Sequence, residues 1–251
     1  MPLFREGRRT ASLAAFIASR TEHSIVFRET CLKCRRPVDS CLCPAEPPMK
    51  VLTKIVLLMH PKEARRERCG TGRLSCLHIA EAEIITGVDF DSHPHVRRLI
   101  EDPENYPVLL YPGRESIDLS TLEGAAFLGS ETKGRRIVAF LVDATWSCSR
   151  TVLKQNPRLM TLPKLMFTPK VLSRWIIKRQ PGPLCLSTIE TVHELLCALE
   201  NIGLEHYPDK ARLLEAFTSM QEYHIARAVA NGIPRYKQKA PDSTSDSIAL
   251  S

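Results

Sequence analysis

Short apolar runs of strand length alternate along this chain with segments of helical periodicity. Residues 51–59 and 137–142 are nearly continuous apolar runs, a pattern typical of strands that are buried on both faces. Residues 108–111 and 164–168 predict two shorter strands. Strands that alternate with helices indicate an α/β fold with a mainly parallel sheet. Such sheets bind their ligands beyond the carboxyl ends of the strands.

The helical segments are bounded by residues that stop helices. We predict a helix over residues 73–86 that ends at Gly87, and a helix over residues 145–156 that is stopped by Pro157. A third helix contains Ile189 and ends at Gly203, and a last helix runs from about residue 213 to about residue 231. These helices would cover the faces of the sheet.

Four cysteines lie ahead of the first strand, at Cys31, Cys34, Cys41 and Cys43. Zinc in structural sites takes four soft ligands in a tetrahedron, and paired cysteines at turn spacing supply them. The second pair is Cys-x-Cys rather than Cys-x-x-Cys, so the match to a zinc site is good but not ideal. The alternative is a set of free or redox-active thiols. The whole chain has nine cysteines, an odd number that favours reduced thiols and a cytoplasmic location.

The excess of basic residues is concentrated in one segment. The chain has 35 basic and 28 acidic residues, a net charge of +7. Residues 144–189 contain no acidic residue and eight basic ones, and the segment is flanked by Asp143 and Glu190. It is either a solvated basic face or a surface for phosphates, where binding would release counterions. No run of 18 apolar residues exists, so we expect no membrane partner.

Asp143 directly follows the predicted strand at residues 137–142 and precedes Thr145. Its carboxylate would point into the crevice at the end of the sheet, as a general base or a substrate anchor. The structural alternative makes Thr145 a helix N-cap and Asp143 an anion near a helix start.

Ser187 and Glu190 have the spacing of a capping box at the start of a helix. A helix N-terminus also binds carboxylates and phosphates, so a structural role and a binding role can coexist there.

The loop after the first predicted strand begins at His60 and is rich in arginine. Gly70 and Gly72 in this loop would let backbone amides approach a ligand closely. The loop lacks the spacing of a phosphate-binding P-loop. His60 by itself is more often an ordinary loop histidine than a catalyst.

Taken together, these motifs resemble the DTW-domain family, the tRNA-uridine aminocarboxypropyltransferases. The motifs that carry the resemblance occur in the family's order: the four-cysteine module, His60-Pro61-Lys62-Glu63, Thr71-Gly72-Arg73-Leu74, Asp143-Ala144-Thr145-Trp146, Asn156-Pro157, Lys178-Arg179-Gln180-Pro181 and Leu186-Ser187-Thr188-Ile189-Glu190. The resemblance covers roughly residues 28 to 205. The chain departs from the family in Lys178, where arginine is common, and in Cys69, where a polar residue is expected.

The resemblance implies a SPOUT-like α/β domain with a mainly parallel sheet and a trefoil-knotted cofactor site, preceded by the small four-cysteine zinc module. It also implies S-adenosylmethionine as donor of a 3-amino-3-carboxypropyl group to N3 of a uridine in tRNA, with release of methylthioadenosine. Two alternatives stay open: an S-adenosylmethionine-dependent RNA methyltransferase, and a non-catalytic RNA-binding protein that contains zinc. Which tRNA and which uridine are modified, and the oligomeric state, are not determined.

On this resemblance, site residues fall into four groups. The catalytic candidates are Asp143, Thr145, Trp146 and Glu190. The cofactor-binding candidates are Leu58, His60, Leu186, Ser187 and Thr188. The candidate RNA contacts are Arg65, Arg66, Arg73, Lys164, Arg174, Lys178 and Arg179. The zinc ligands would be Cys31, Cys34, Cys41 and Cys43.

The predicted organisation has four parts. Residues 1–27 form an N-terminal arm, residues 28–48 the zinc module, residues 49–234 the catalytic domain, and residues 235–251 a disordered tail.

Overall fold

The computed structural model describes residues 29–34, 36–66, 70–178, 180, 182 and 184–232, except for the side chains at positions 66, 146 and 147. The chain divides into two compact units, residues 1–41 and residues 42–251. The boundary falls inside the predicted zinc module, residues 28–48. The predicted arm and the predicted tail lie outside the described residues.

The described part of the first unit is small. An isolated antiparallel bridge joins Thr30 to Pro37, and a 3-10 helix follows at Val38–Ser40. The backbone N–H of Cys31 donates to the carbonyl of Arg36 at 2.7 Å, which closes the turn that carries Cys31 and Cys34.

The second unit is built around a six-stranded sheet. Its strands are β1 (Lys54–Met59), β2 (Ala82–Thr86), β3 (Asn105–Leu110), β4 (Ile117–Asp118), β5 (Arg136–Asp143) and β6 (Lys164–Met166). The strand order is β2-β1-β5-β3-β6-β4, and every pair of neighbours is parallel. The predicted α/β class and parallel sheet are confirmed.

Eight α-helices are present in the described residues. They are α1 (Pro61–Arg66), α2 (Thr71–His78), α3 (Pro94–Glu101), α4 (Leu122–Thr132), α5 (Trp146–Gln155), α6 (Pro157–Thr161), α7 (Thr188–Asn201) and α8 (Arg212–Ala230). The helices predicted over residues 145–156, before Gly203 and over residues 213–231 are confirmed as α5, α7 and α8.

The predicted helix over residues 73–86 is wrong in its second half. The helix ends at His78, Ile79 adopts extended backbone angles, and β2 then pairs with β1 from Ala82 to Thr86. The alanines and glutamates of residues 80–83 favour a helix by local propensity. Hydrogen bonding to the edge of the sheet overrides that preference, because it satisfies the backbone of β1 as well.

Residues of the central strands alternate between two hydrophobic clusters. Ile55 and Leu57 of β1 pack in the cluster that contains residues of α2, α4, α7 and α8. Val56 and Leu58 pack in the opposite cluster, with residues of α3, α5 and α6. The sheet is therefore covered on both faces, which explains why the central strands are almost wholly apolar.

The connections that leave β1 and β5 go to opposite faces of the sheet. The chain leads from β1 to α2, whose Leu74 lies in the first cluster, and from β5 to α5, whose Val152 lies in the second. Because β1 and β5 are neighbours, a crevice opens between their carboxyl ends, and open α/β sheets bind ligands at such a point.

Across the described ranges, no helix has the length and apolar composition needed to cross a membrane.

Candidate active site

Asp143 is the last residue of β5 and lies at the crevice between β5 and β1. It pairs in register with Met59, the last residue of β1, and its carbonyl accepts the backbone N–H of His60 at 3.4 Å. Its side chain is half-buried. The structure thus places the carboxylate where the parallel strands end, as the sequence predicted.

Thr188 holds one oxygen of this carboxylate. Its hydroxyl donates to Oδ1 of Asp143 at 2.8 Å. Thr188 is the first residue of α7, so the helix N-terminus lies beside the aspartate. The fold therefore brings together two candidate residues that are separated by 45 positions in the chain.

Gly72 makes room for the other oxygen. A Cβ atom added to Gly72 would lie 2.3 Å from Oδ2 of Asp143, closer than any real Cβ contact. Gly72 is the second residue of α2, so the carboxylate lies against the first turn of that helix, where the helix dipole favours a negative charge. The glycine is required here by the close approach of Asp143.

The half-buried thiol of Cys76 lies close enough to Asp143 for the charge of the carboxylate to affect its pKa. Burial raises the pKa of Cys76 to about 12, and the negative charges of Asp143 and Glu83 act in the same direction. Cys76 is therefore a neutral thiol at physiological pH and offers no thiolate nucleophile at this site.

Ser187 and Glu190 form the predicted capping box. The backbone N–H of Ser187 donates to Oε2 of Glu190 at 2.8 Å, and the backbone N–H of Glu190 donates to Oγ of Ser187 at 3.4 Å. The Ser187 hydroxyl also donates to Oε2 at 2.6 Å. Both side chains are buried. The structural role that the sequence left open is thus present.

Glu190 also binds the segment that precedes α7. Its Oε2 accepts the hydroxyl of Ser173 at 2.8 Å, and its Oε1 accepts the backbone N–H of Arg174 at 2.5 Å. With the two donors of Ser187, four protein groups donate to this one carboxylate. These four hydrogen bonds hold the carboxylate in one orientation and fix the segment to the start of α7.

Gln221 of α8 holds the same segment from a second side. Its Oε1 accepts the backbone N–H of Ile176 at 2.6 Å, and its Nε2 donates to the carbonyl of Arg174 at 3.0 Å. The ring of Trp175 packs edge-on against Phe217 with ring centroids 4.8 Å apart. The sequence did not identify Gln221 as a structural residue. Its position beside the apolar residues of α8 is the one local feature that could have indicated it.

The remaining cofactor-binding candidates have different surroundings. His60 begins the turn into α1: its carbonyl accepts the N–H groups of Glu63 and Ala64, and its Nδ1 accepts the N–H of Lys62 at 3.1 Å. Leu58 has no exposed surface and packs in the second cluster, so its side chain does not line the crevice. Leu186 is half-buried, directly before the capping box.

Thr145 occupies the N-cap position of α5, and its side chain is exposed. Its carbonyl accepts the N–H of Ser149 at 2.8 Å, but its hydroxyl makes no capping hydrogen bond. Capping therefore does not explain the hydroxyl at this position. Trp146 is the first residue of α5, and its side chain lies outside what the structure describes.

The candidate RNA contacts do not all lie near Asp143. Arg65 is exposed on α1, and Arg174 and Lys178 are exposed on the segment bound to Glu190. Arg73 is half-buried and donates to the carbonyl of Ala64 at 3.2 Å, so it links α2 to α1. Lys164 begins β6 opposite Leu109 of β3, two strands away from β5.

Two of these candidates are not described in full. Arg179 and the side chain of Arg66 lie outside the described part of the structure. Their assignment as RNA contacts stays a prediction.

The Asn156-Pro157 motif has a structural explanation. Asn156 is fully buried, and its Oδ1 accepts the N–H groups of Phe90 and Asp91 at 2.6 and 2.9 Å. Its Nδ2 donates to the carbonyls of Val88 and Val152. The side chain ties the loop after β2 to the end of α5.

The four cysteines of the predicted zinc module converge. The Sγ atoms of Cys31, Cys34, Cys41 and Cys43 all lie within 4.8 Å of one another. Sulfurs around a tetrahedral zinc with bonds of about 2.3 Å are about 3.8 Å apart, and the sulfurs of Cys34 and Cys41 are 3.7 Å apart. The donor set fits a structural zinc ion.

The electrostatics of this cluster favour a thiolate. The backbone N–H groups of Cys34 and Lys33 and the thiols of Cys41 and Cys34 lower the pKa of Cys31 to about 6. A deprotonated sulfur is the form that zinc binds.

A cavity of about 530 Å³ lies at the amino ends of the central strands, opposite to the end that carries Asp143. Thr53, Arg136 and Ile137, at the amino ends of β1 and β5, are among its lining residues. It is separated from Asp143 by the length of the strands, and it plays no part in the site described above.

The fold and the site together define an α/β domain with a fixed carboxylate at the carboxyl ends of its central strands. The DTW domain matches residues 28–225, and the chain belongs to the DTW-domain family. This confirms the resemblance found in the sequence, and with it the expectation that the protein is an enzyme of the transferase class.

Two relatives are similar to this chain over most of its length. The chain is 33% identical over 180 residues to tRNA-uridine aminocarboxypropyltransferase 2 of Drosophila melanogaster, and the aligned region covers 69% of this chain and 68% of that protein. It is 30% identical over 204 residues to tRNA-uridine aminocarboxypropyltransferase 2 of Mus musculus, and the aligned region covers 80% of this chain and 66% of that protein. None of the solved structures that were compared matches the chain significantly.

Proposed function

We propose that this protein transfers the 3-amino-3-carboxypropyl group of S-adenosylmethionine to N3 of a uridine in tRNA. One observation carries the proposal: a carboxylate, Asp143, is fixed at the crevice between β1 and β5 by Thr188 from one side and seated on Gly72 from the other. Membership of the DTW-domain family supports the same activity, because the named relatives are tRNA-uridine aminocarboxypropyltransferases.

The chemistry needs a nucleophile and a choice between carbons. When bound, S-adenosylmethionine supplies a γ-carbon activated by the sulfonium, whose carbon–sulfur bond breaks as N3 bonds to that carbon, and methylthioadenosine leaves. The protein must orient the γ-carbon rather than the methyl carbon toward N3, because small errors of position are costly. It must also take the proton of N3.

Asp143 is our candidate for accepting that proton. The N3–H of uridine would donate to its carboxylate, and the proton passes to the carboxylate as the new bond forms. Thr188 and the Gly72 backbone fix the orientation of the carboxylate before the substrate arrives. Preorganisation of this kind is what gives a general base its efficiency.

The start of α7 is our candidate for holding the aminocarboxypropyl end of the donor. That end carries a carboxylate, and helix N-termini bind carboxylates through their first N–H groups and their dipole. Ser187 and Thr188 occupy this position, with Leu186 before them, and the backbone N–H of His60 donates to the carbonyl of Asp143. Thr145 and Trp146, which follow Asp143, would position the base or the donor.

Glu190 has a different role in this proposal from the one the sequence suggested. Four donors from Ser173, Arg174 and Ser187 already occupy its carboxylate. We therefore assign it to positioning: it fixes the segment before α7, while Asp143 acts on the uridine.

The uridine must leave its stack to reach this crevice, because N3 is hidden in paired or stacked RNA. Arg65, Arg174 and Lys178 are exposed cations suited to its phosphates. The trefoil-knotted, SPOUT-like cofactor site and the cytoplasmic location stay predictions. In this proposal, zinc on the four cysteines braces the N-terminal module and takes no part in the reaction.

The test is an assay with purified protein, S-adenosylmethionine and an unmodified tRNA transcript, followed by mass spectrometry of the nucleosides. We expect aminocarboxypropyluridine and methylthioadenosine in equal amounts. Asp143→Asn keeps the shape of the side chain but removes the base, and we expect a loss of at least about 100-fold in turnover. Asp102→Asn, an exposed aspartate on the C-cap of α3, is the matched control.

Three results would contradict the proposal. Methylated uridine with S-adenosylhomocysteine would identify a methyltransferase. No binding of S-adenosylmethionine by calorimetry, with intact tRNA binding, would identify a non-catalytic RNA-binding protein. Full turnover by Asp143→Asn would remove Asp143 from the role of base.

A further inference from the structure

The segment bound by Glu190 and Gln221 exposes an ordered row of side chains. From residue 172 to residue 178, exposed and half-buried residues alternate. Ser173, Trp175 and Ile177 are half-buried, whereas the intervening residues face the solvent. The segment has no regular secondary structure, and it bends at residues 176–178, but alternate side chains still face opposite sides of it.

The outward row alternates aliphatic and cationic side chains. It consists of Leu172, Arg174, Ile176 and Lys178. Leu172 is 64% exposed and Ile176 is 63% exposed. We call these four residues the outward row.

Several contacts on the inner side of the segment hold the outward row in place. Glu190 accepts from Ser173 and Arg174, Gln221 bonds Arg174 and Ile176, and Trp175 packs on Phe217. The ammonium of Lys178 lies 5.7 Å from the centre of the Trp175 ring. The protein therefore fixes the direction in which the row points.

The row is also fixed relative to Asp143. Glu190 lies in the first turn of α7, and Thr188 in the same turn donates to Asp143. Only a few bonded groups separate the row from the carboxylate. A substrate whose reactive atom lies at Asp143 would extend over this surface.

Charge complementarity identifies the kind of partner. The row lies within residues 144–189, which contain eight basic residues and no acidic one. A polyanion fits this surface, and a membrane of neutral lipid or an ordinary protein surface does not. Cations alone would suit any RNA, however, so the aliphatic members need an explanation of their own.

We propose that the outward row binds unpaired nucleotides next to the target uridine, with Arg174 and Lys178 on phosphates and Leu172 and Ile176 against the faces of bases. Base faces are accessible only where RNA is unpaired and unstacked, as in loops. Apolar side chains on a basic surface therefore favour loops over duplexes. This inference rests on the proposed function and deepens it: it assigns the surface that binds the nucleotides beside the target uridine.

The experiment separates the aliphatic members from the cationic ones by salt dependence. Binding of unmodified tRNA, of its isolated stem-loop containing the target uridine, and of a paired duplex of equal length is measured by fluorescence anisotropy from about 50 to about 200 mM salt. The variants are L172A/I176A and R174Q/K178Q. The matched control is L122A/V229A, whose two residues are exposed elsewhere, at the start of α4 and near the end of α8.

We expect L172A/I176A to weaken binding of the tRNA and the stem-loop about tenfold at every salt concentration, with duplex binding unchanged. R174Q/K178Q should weaken binding of all three RNAs and reduce the slope of log K against log salt by about 1 to 2. The control should match the wild type. All substituted side chains are exposed, so melting temperatures should stay within about 2 °C of the wild type.

The inference is overturned if L172A/I176A binds the stem-loop as tightly as the control does, or if it weakens duplex binding equally. It is also overturned if the wild type is a dimer that L172A/I176A dissociates, since a second copy of the chain would then cover the row. A wild type that forms product while L172A/I176A behaves as the control refutes this inference alone. A wild type that neither binds tRNA nor forms product refutes the proposed function and this inference with it.

Discussion

Replacing Gly72 by alanine tests the geometry of the site with a single methyl group. The new Cβ would lie 2.3 Å from Oδ2 of Asp143 and 3.1 Å from Cδ1 of Leu57. Since ordinary contacts begin near 3.4 Å, the carboxylate must move by about 1.1 Å. The hydrogen bond from Thr188, now 2.8 Å, would then stretch to nearly 4 Å and break.

Activity should suffer far more than folding. We expect kcat/KM to fall about 100-fold, the usual effect of a displacement of about 1 Å in a reacting group. Alanine is the better helix former by about 1 kcal/mol, which offsets part of the lost hydrogen bond of about 2 kcal/mol. The net change in the free energy of unfolding should therefore be about 1 kcal/mol. Steady-state kinetics and thermal unfolding measure the two quantities.

The chain offers a matched control in Gly129→Ala. Gly129 is also helical, in α4, but an added Cβ would have no neighbour within 4 Å. We expect normal activity and a gain of about 0.5 to 1 kcal/mol in the free energy of unfolding. In an Asp143→Ala background, Gly72→Ala should no longer destabilise the protein, because its clashing partner is gone and the helix propensity of alanine remains. Normal kcat/KM for Gly72→Ala would refute the claim that Asp143 needs its present position.

Other variants test the remaining parts of the structure. Thr188→Val should lower turnover about tenfold with little change in tRNA affinity, whereas Thr188→Ser should keep most of the activity, because only serine can replace the hydroxyl that donates to Asp143; equal kinetics for the two variants would contradict this role. Asn156→Ala should lower the free energy of unfolding by about 3 kcal/mol, because it leaves the buried N–H of Phe90 without its acceptor. Asn231→Ala, at an exposed position, should change the free energy of unfolding by less than about 0.5 kcal/mol. Chemical denaturation measures both values. Burial, with the nearby charges of Arg174 and Lys210, lowers the pKa of His193 in the folded protein. Below a pH of about 6.5 the unfolded chain therefore binds a proton that the folded protein does not, and the free energy of unfolding should fall as the pH drops through that range. His193→Gln should flatten this part of the profile of stability against pH, and an unchanged profile would assign the pH dependence to other groups. The purified protein should contain about one zinc per chain by elemental analysis, and Cys34→Ser should reduce it sharply while Cys197→Ser, on α7 outside the cluster, should not; a zinc-free wild type that is otherwise folded would contradict the assignment.

Local pattern was enough to predict the class of fold. The apolar runs of β1 and β5 indicated strands buried on both faces, and two clusters of helices do cover them. The helix over residues 73–86 was wrong in its second half, because pairing with β1 decided the conformation of residues 82–86 and no local signal reports it. Short strands at a sheet edge depend on their neighbours more than on their own residues.

The site was predictable where a residue's role depends on its position along the chain. Asp143 followed from its place after a buried strand, and the capping box of Ser187 and Glu190 followed from its spacing. The saturation of Glu190 by Ser173 and Arg174 did not follow, because those donors belong to a segment without regular secondary structure. The same is true of Gln221, whose partners lie 45 and 47 positions away.

The sequence by itself determined four of the six strands and three of the eight helices in the described residues, the cysteine ligand set and the family, since each depends on periodicity, spacing or ordered motifs within short stretches. Only the tertiary structure decided that Asp143 is held between Thr188 and Gly72, and that Leu172 and Ile176 stand exposed beside cations on a fixed segment. The physical reason is the range of the interactions. Propensity and capping act over a few residues, whereas the contacts that orient the Asp143 carboxylate form between strand ends and helix starts that the chain brings together only on folding.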